Sequence, residues 1–415
     1  MKIIWLGNVV LPKIAEMENI PKVFLGGWMV SLSERLGTMD NIELCYIFDS
    51  KHSVSGSTKY YKYYGIECGS SSSKRLGKDY IQYAIEILNK EKPDVVHIWG
   101  TENAHSLGMV EACEQVGILN RVIISIQGLV SVYAKHYHAF LSEKVTHGKT
   151  IKDILKGNLQ KQQKKFVQMG LLEEKALRKV RHVIGRTDWD KACVWNINPN
   201  IIYHFNNETL RSEFYDGCWS YNTCEKFSIF CSQAHYPIKG IHLMLESLKI
   251  IKRQFPEVHL YVGGKNYMDI PVFQHSRYEK YISILIKRYN LIENVTFTGF
   301  LDANQMKDRY LRSNVFVSPS SIENSPNSVG EAMLLGVPVV SSIVGGVHNL
   351  LEHAREGFLY PADEPYMMAY YVCRIFDNKA LACKLSRNAR KQALQTHDED
   401  ENLKELLNIY RCISN

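Results

Sequence analysis

The chain has 415 residues, 45% apolar and 22% charged, the make-up of an ordinary folded protein long enough for two or three domains. No apolar run approaches the roughly 18 residues of a membrane-spanning helix, Met1–Gly7 reads as a strand rather than a secretory leader, and the ten cysteines form no C-x-x-C pair, which argues against metal binding and for a reducing, cytosolic setting. The net charge of +7 lies wholly in the first half, where residues 1–205 hold 27 basic and 20 acidic side chains against 23 and 23 in the remainder.

Lys2–Leu6 is a short apolar strand that runs into Gly7. Leu25-Gly26-Gly27-Trp28 then opens a helix to about Leu36. A glycine pair there lets the backbone approach a ligand and frees helix-terminal amides for an anion, although a tight turn would use the same residues. Ile42–Phe48 reads as a strand, Lys78–Asn89 as a helix, Pro93–Gly100 as a strand, Ala104–Val116 as a helix, and Arg121–Ile126 as a strand ending at Gln127-Gly128. Strands alternating with helices at this spacing pair in parallel through right-handed crossovers and collect ligands at their carboxyl ends. His97, Trp99, His105 and Gln127 are therefore candidates for a cleft between domains, the last three as acceptor-side residues. Lys144–Arg181 interrupts the alternation with 11 basic and three acidic residues, and with Ile151, Ile154 and Leu155 at helical spacing. No nucleic-acid-binding signature accompanies it, which leaves two readings, an anionic membrane surface or a solvated helical face. His182–Gly185, a helix capped by Thr187–Asp190, and the strand Ile201–Phe205 complete a first domain over residues 1–205. Residues 206–225 lack periodicity and read as a linker.

A second domain is expected over residues 226–395, followed by a C-terminal helical segment, 396–415, that packs back on the first. It opens with the strand Phe227–Cys231, the segment Ser232–Gly240 and an amphipathic helix, Ile241–Ile251, whose mouth holds Lys239, an ammonium suited to a diphosphate. Val258–Val262 leads into Gly263-Gly264, and two more strand and helix units follow. The most informative stretch is residues 318–346, S-P-S-S-I-E-N-S-P-N-S-V-G-E-A-M-L-L-G-V-P-V-V-S-S-I-V-G-G. Ser325 is suited to cap a helix with Pro326 as its first residue, ending at Gly336 before the strand Val337–Val340. The free amides of Asn327, Ser328 and Val329 and the helix dipole favour a polar or anionic ligand at that mouth. Glu331, inside the helix, would repel a phosphate and is suited to the vicinal diol of a ribose. Glu323, nearer the mouth, is placed for hydroxyls of a second sugar.

This stretch closely resembles the donor-site signature of family 4 glycosyltransferases, roughly S-x-x-E-x-x-P-x-x-x-x-E-A-M-x-x-G-x-P-V-V followed by V-G-G. The resemblance implies an α/β chain of the GT-B fold, two doubly wound Rossmann-like domains facing across a cleft. It implies a retaining, metal-independent hexosyl-type transferase, with no cofactor beyond a UDP- or GDP-linked sugar as co-substrate. The acceptor implied is a saccharide or lipid-linked saccharide in polysaccharide assembly at the cytoplasmic membrane face, with no nucleic acid involved. By the same resemblance Lys239 and Glu323 are the catalytic pair, and Gly26, Gly27, Gly263, Asn324, Ser325, Pro326, Asn327, Ser328 and Glu331 bind the donor. Two departures stand out. The family's G-R-x-x-x-x-K-G arginine falls on Ala234, and its N-terminal histidine on Gln127. They keep open an epimerase of the same fold and a nucleotide-sugar-binding protein that has lost catalysis.

Overall fold

The computed structural model describes residues 1–20, 27–68, 79–233 and 236–414. The chain divides into two compact units. The first holds Met1–Ala134, Lys165–Thr209 and Asp398–Asn415, and the second Lys135–Lys164 and Leu210–His397.

The first unit is an eight-stranded sheet of β1 (Lys2–Gly7), β2 (Glu43–Ser50), β3 (Val54–Ser57), β4 (Lys62–Glu67), β5 (Val95–Trp99), β6 (Val122–Ser125), β7 (His182–Gly185) and β8 (Ile202–Phe205), in the order β3-β4-β2-β1-β5-β6-β7-β8. All neighbours are parallel except β3 and β4. Alternate residues of the strands feed two cores, as a sheet covered on both faces requires. Ile4, Leu6, Val96, Ile98, Val122 and Ile124 pack on one side. Ile3, Trp5, Tyr46, Trp99 and Ile123 pack on the other, beneath Leu403, Leu406 and Tyr410 of the C-terminal helix Glu399–Ser414. The β3–β4 hairpin is absent from the sequence reading because Ser53–Gly65 mixes polar and aromatic residues without a clean alternation.

The second unit is a parallel six-stranded sheet, β9 (Ser228–Cys231), β10 (His259–Val262), β11 (Val295–Phe297), β12 (Val315–Ser318), β13 (Val339–Ser342) and β14 (Gly357–Tyr360), in the order β11-β10-β9-β12-β13-β14. The order reverses at β9, between β10 and β12. This is the switch point at which open α/β sheets bind ligands.

Several boundaries differ from those expected. Residues 206–225 are not a free tether, because the division falls between Thr209 and Leu210 and the rest packs into the second unit. Trp219 is buried there and donates its indole N–H to the Ser313 carbonyl at 2.7 Å, while its amide donates to the Leu335 carbonyl at 2.8 Å. The basic stretch expected as one insertion of the first domain is divided at Lys164/Lys165. The helix after β12 runs Asn327–Leu334, with Pro326 rather than Ser325 in the capping position and no side-chain cap. The residue before a proline is held extended, which keeps Ser325 outside the helix.

Candidate active site

In the second unit the loop from Ser320 to Pro326 joins the carboxyl end of β12 to the helix Asn327–Leu334. Glu323 is 7% exposed and accepts from the Lys239 ammonium at 2.5 Å and from the Ser320 hydroxyl at 2.7 Å. Burial alone would depress the Lys239 pKa, but the Glu323 carboxylate and the Tyr236 phenol outweigh it and hold the ammonium above its ordinary value. Lys239 is thus a cation at any working pH. Two glycines make the pairing sterically attainable. Gly240 has φ +68°, and a Cβ there would lie 1.8 Å from the Pro319 carbonyl oxygen; Gly345 has φ +52°, and its Cβ would lie 1.8 Å from the Glu323 carbonyl oxygen. The K-G and V-G-G motifs are therefore two sides of one close-packed loop.

Asn324 and Pro326 are buried beside Glu323, and Ser325, Asn327 and Ser328 are half-buried. The Val329 amide, expected to be free, donates to the Pro326 carbonyl at 2.9 Å, and those of Asn327 and Ser328 have no acceptor among the described residues. Glu331 lies on the same helix and is 5% exposed. Burial pushes its carboxyl pKa up to about 7, with Arg211 pulling back through charge and hydrogen bonding. The Arg211 Nε and terminal nitrogen each lie 2.8 Å from Glu331 Oε1. Sequence reasoning missed Arg211, because it fell in the presumed linker; an arginine in an otherwise polar, aperiodic segment was the only signal. Gly263 follows β10 and donates its amide to the Cys231 carbonyl at 2.8 Å. Gly26, and Ala234 where the family arginine would stand, lie outside the described residues; Gly27 opens the helix Gly27–Gly37.

The first unit holds a separate pocket at the carboxyl ends of β5 to β8, lined by Trp99, Ser125, Gln127, Arg186, Glu208 and Asn402 among others. Gln127 donates its amide to Glu208 Oε1, and Arg186 forms a buried ion pair with Glu208 Oε2. Trp99 stacks on His97, with ring centroids 4.0 Å apart. His105 does not line this pocket. It is buried in the helix Ala104–Val116, with Nδ1 2.9 Å from Asp49 Oδ2. Of the three acceptor-side candidates, then, two meet at the pocket and the third holds a helix against the sheet. Ser125, Arg186 and Glu208 were not singled out, since they become neighbours only through the parallel order of the strands. Among the described residues no group of three or more His, Cys, Asp and Glu side chains is arranged to hold a metal ion.

Residues 221–392 match the family model described as glycosyl transferases group 1. The chain is 28% identical over 189 residues to an uncharacterized glycosyltransferase, MJ1607, of Methanocaldococcus jannaschii, covering 45% of each chain. It is 28% identical over 149 residues to the amylovoran biosynthesis glycosyltransferase AmsK of Erwinia amylovora, covering 34% of each. The chain thus spans less than half the length of these curated relatives. The fold extends further. Sucrose-phosphate synthase of Thermosynechococcus elongatus superposes with a TM-score of 0.72 at 15% identity, over 100% of this chain and 99% of that one. Anabaena HepE, solved with UDP and glucose, superposes at 0.68 and 14% identity over 99% of each. The chain has the GT-B fold, and residues 221–392 of its second unit are similar to group 1 glycosyltransferases.

Proposed function

We propose that this chain is a retaining glycosyltransferase that moves a hexosyl group from a UDP- or GDP-linked donor to a saccharide or lipid-linked saccharide, in the assembly of a surface polysaccharide. The observation that carries the reading is the arrangement of Lys239, Glu323 and Glu331 around the first turns of one helix at the switch point of the second sheet. The ribose diol would be accepted by Glu331, held in place by Arg211. The diphosphate would meet the Asn327 and Ser328 amides and the Lys239 ammonium, which offsets the charge that grows on the leaving oxygen as the glycosidic bond breaks. Lys239 would then exchange Glu323 for phosphate, and the released carboxylate would accept hydroxyls of the transferred sugar. The acceptor oxygen forms the new bond as the donor's bond to phosphate breaks, and its proton passes to the departing phosphate. The amylovoran biosynthesis named for AmsK supports the choice of acceptor class, as the UDP of the HepE structure supports the choice of donor.

The acceptor is assigned to the first unit, at the pocket of Trp99 and Gln127. A lipid-linked acceptor calls for a membrane surface, and the helix Ile151–Lys156 supplies one. Its Ile151, Ile154 and Leu155 are 67%, 70% and 77% exposed. Lys144, Lys149, Lys156 and Lys161 are exposed around them, a charge pattern complementary to an anionic bilayer. Among the described residues no helix is long and apolar enough to cross a membrane.

The test is turnover of a panel of UDP- and GDP-sugars with oligosaccharide acceptors in the presence of a metal chelator, with the anomeric configuration of the product read by NMR. Retention of the donor's configuration is expected. Inversion, or C2 or C4 epimerisation of the donor without acceptor, would contradict the reading.

A further inference from the structure

The segment that opens the second unit carries a polar pair whose hydrogen-bonding capacity is half used. Arg211, two residues after the chain division at Thr209, reaches Glu331 of the helix Asn327–Leu334. Gly330 makes room for the approach: a Cβ there would lie 2.9 Å from Leu210 Cδ1 and 2.7 Å from His397 Nε2. Three hydrogen bonds fix the backbone of the segment. The Leu210 amide donates to the Tyr215 hydroxyl at 3.1 Å, that hydroxyl donates to the His397 carbonyl at 2.6 Å, and the Arg211 carbonyl accepts from the Phe214 amide at 3.1 Å. The guanidinium lies over the ring of the fully buried Phe214, 4.5 Å from its centroid, and such stacking fixes its plane. In that plane Nε and one terminal nitrogen both donate to Glu331 Oε1, each at 2.8 Å. One edge of the guanidinium and one oxygen of the carboxylate are thereby occupied. The other terminal nitrogen of Arg211 and Glu331 Oε2 have no partner among the described residues.

We propose that Arg211 and Glu331 read the donor's ribose as one unit, with Glu331 Oε2 accepting from one hydroxyl and the free end of the Arg211 guanidinium donating to the neighbouring oxygen. This rests on the reading of Glu331 as the ribose acceptor, and adds Arg211 to it as a specificity-determining residue. A carboxylate that took both hydroxyls would need both of its oxygens, and Oε1 already receives two hydrogen bonds. What remains is one acceptor beside one donor. A phosphate would suit the guanidinium but be repelled by the carboxylate, and an ammonium would suffer the reverse. A vicinal diol meets both, since each of its hydroxyls can give a proton and accept one. Arg211 also opposes the burial that pushes the Glu331 carboxyl up, which keeps more of it in the accepting form. A lysine could supply the charge but not two edges of one plane, so Arg211→Lys separates charge from geometry.

Calorimetry on the full chain tests this with UDP-glucose, GDP-mannose and their 2′-deoxyribose and 3′-deoxyribose analogues, titrated into wild type, Arg211→Lys, Arg211→Gln and Glu331→Gln. Wild type is expected to bind at least one ribose donor, and to bind each of its deoxy analogues about tenfold more weakly or worse, because a charged partner loses its hydrogen bond. In Arg211→Lys one of the two penalties should fall to about threefold or less while the other stands, and Glu331→Gln should relax the other. The readout is a ratio of affinities within one protein, so a smaller folded fraction cancels. An arginine that merely steadied the helix would, on substitution, weaken ribose and deoxyribose donors alike. Should Arg211→Gln fail to fold, the lysine variant decides. Unchanged penalties in the Arg211 variants, with binding weakened in Glu331→Gln, would overturn the role of Arg211 and leave the ribose reading standing. Undiminished donor binding by Glu331→Gln, or a wild type that binds no donor or shows no deoxy penalty, would overturn the ribose reading and this proposal with it.

Discussion

Lys239 and Glu323 together explain why this loop is so constrained. The half-buried Lys239 ammonium and the buried Glu323 carboxylate hold each other, and neither can be removed without leaving the other uncompensated. Lys239→Ala is expected to lower turnover about a hundredfold, the scale of one preorganised electrostatic donor, with a smaller effect on donor affinity because the charge it meets grows toward the transition state. Steady-state kinetics on a nucleotide sugar would show this, and unchanged turnover would mean that another cation carries the role, with the exposed Lys265 the next to substitute. Glu331 invites a different expectation, because its charge is conditional. With a pKa raised to about 7 by burial, it is ionised above neutrality and protonated below, so donor binding should strengthen as pH rises from 6 to 8. The positions of Glu323 and Glu331 in the loop and helix were readable from residues 318–346, and that of Lys239 from the K-G pair at 239–240. The partner Arg211 was not, since an ion pair 120 residues apart in sequence leaves no local trace.

At the level of elements, Glu173 shows how the loops at the strand ends of the first unit are held. From the helix Leu159–Lys179 its buried carboxylate accepts the amides of Val130 and Ser131, both at 3.0 Å, and the hydroxyls of Thr101 and Ser131, both at 2.6 Å. It thereby ties together the loops that follow β5 and β6. Glu173→Ala leaves two buried amides without acceptors and should cost about 2–4 kcal/mol, seen as a lowered denaturant midpoint with an unchanged slope. The helix Ile151–Lys156 presents the opposite case, an apolar face with no cover. Its sequence reading stood between membrane surface and solvated helix; three aliphatic side chains at 67% to 77% exposure are the ground for the membrane contact proposed here. Sedimentation with anionic vesicles should be reduced about tenfold or more by Ile154→Asp with Leu155→Asp, and only partly by high salt, because insertion of the aliphatic groups is not screened. Complete release by salt with no effect of the double substitution would leave only the lysines, and Lys161→Glu with Lys164→Glu would then abolish binding.

At the scale of the whole molecule, the alternation of strands and helices made both parallel sheets legible, because buried parallel strands such as Val95–Trp99 and Val315–Ser318 are short, almost wholly apolar and closed by glycine or serine. The polar and aromatic β3–β4 hairpin was not, and neither was the packing of residues 210–225 into the second unit, since Trp219 packs by tertiary contact and not by any periodicity; the division itself, at Thr209, falls within the linker expected over 206–225. The pocket of the first unit was half legible: Trp99 and Gln127 sit at strand ends that can be counted off, whereas Ser125 is tied through His97 to Tyr410, 285 residues away. In the proposed reading the second unit grips a nucleotide sugar through Glu331. Calorimetric titration of UDP-glucose and GDP-mannose into wild type and Glu331→Gln, at pH 6 and pH 8, tests it most directly, because the diphosphate of a nucleotide sugar has no group titrating in that window. Wild type should bind at least one donor, more tightly at pH 8, and Glu331→Gln should bind it at least about tenfold more weakly at pH 8 with no change between the two pH values. Equal affinity of the two proteins at pH 8, or no binding of either donor by wild type, would contradict the claim.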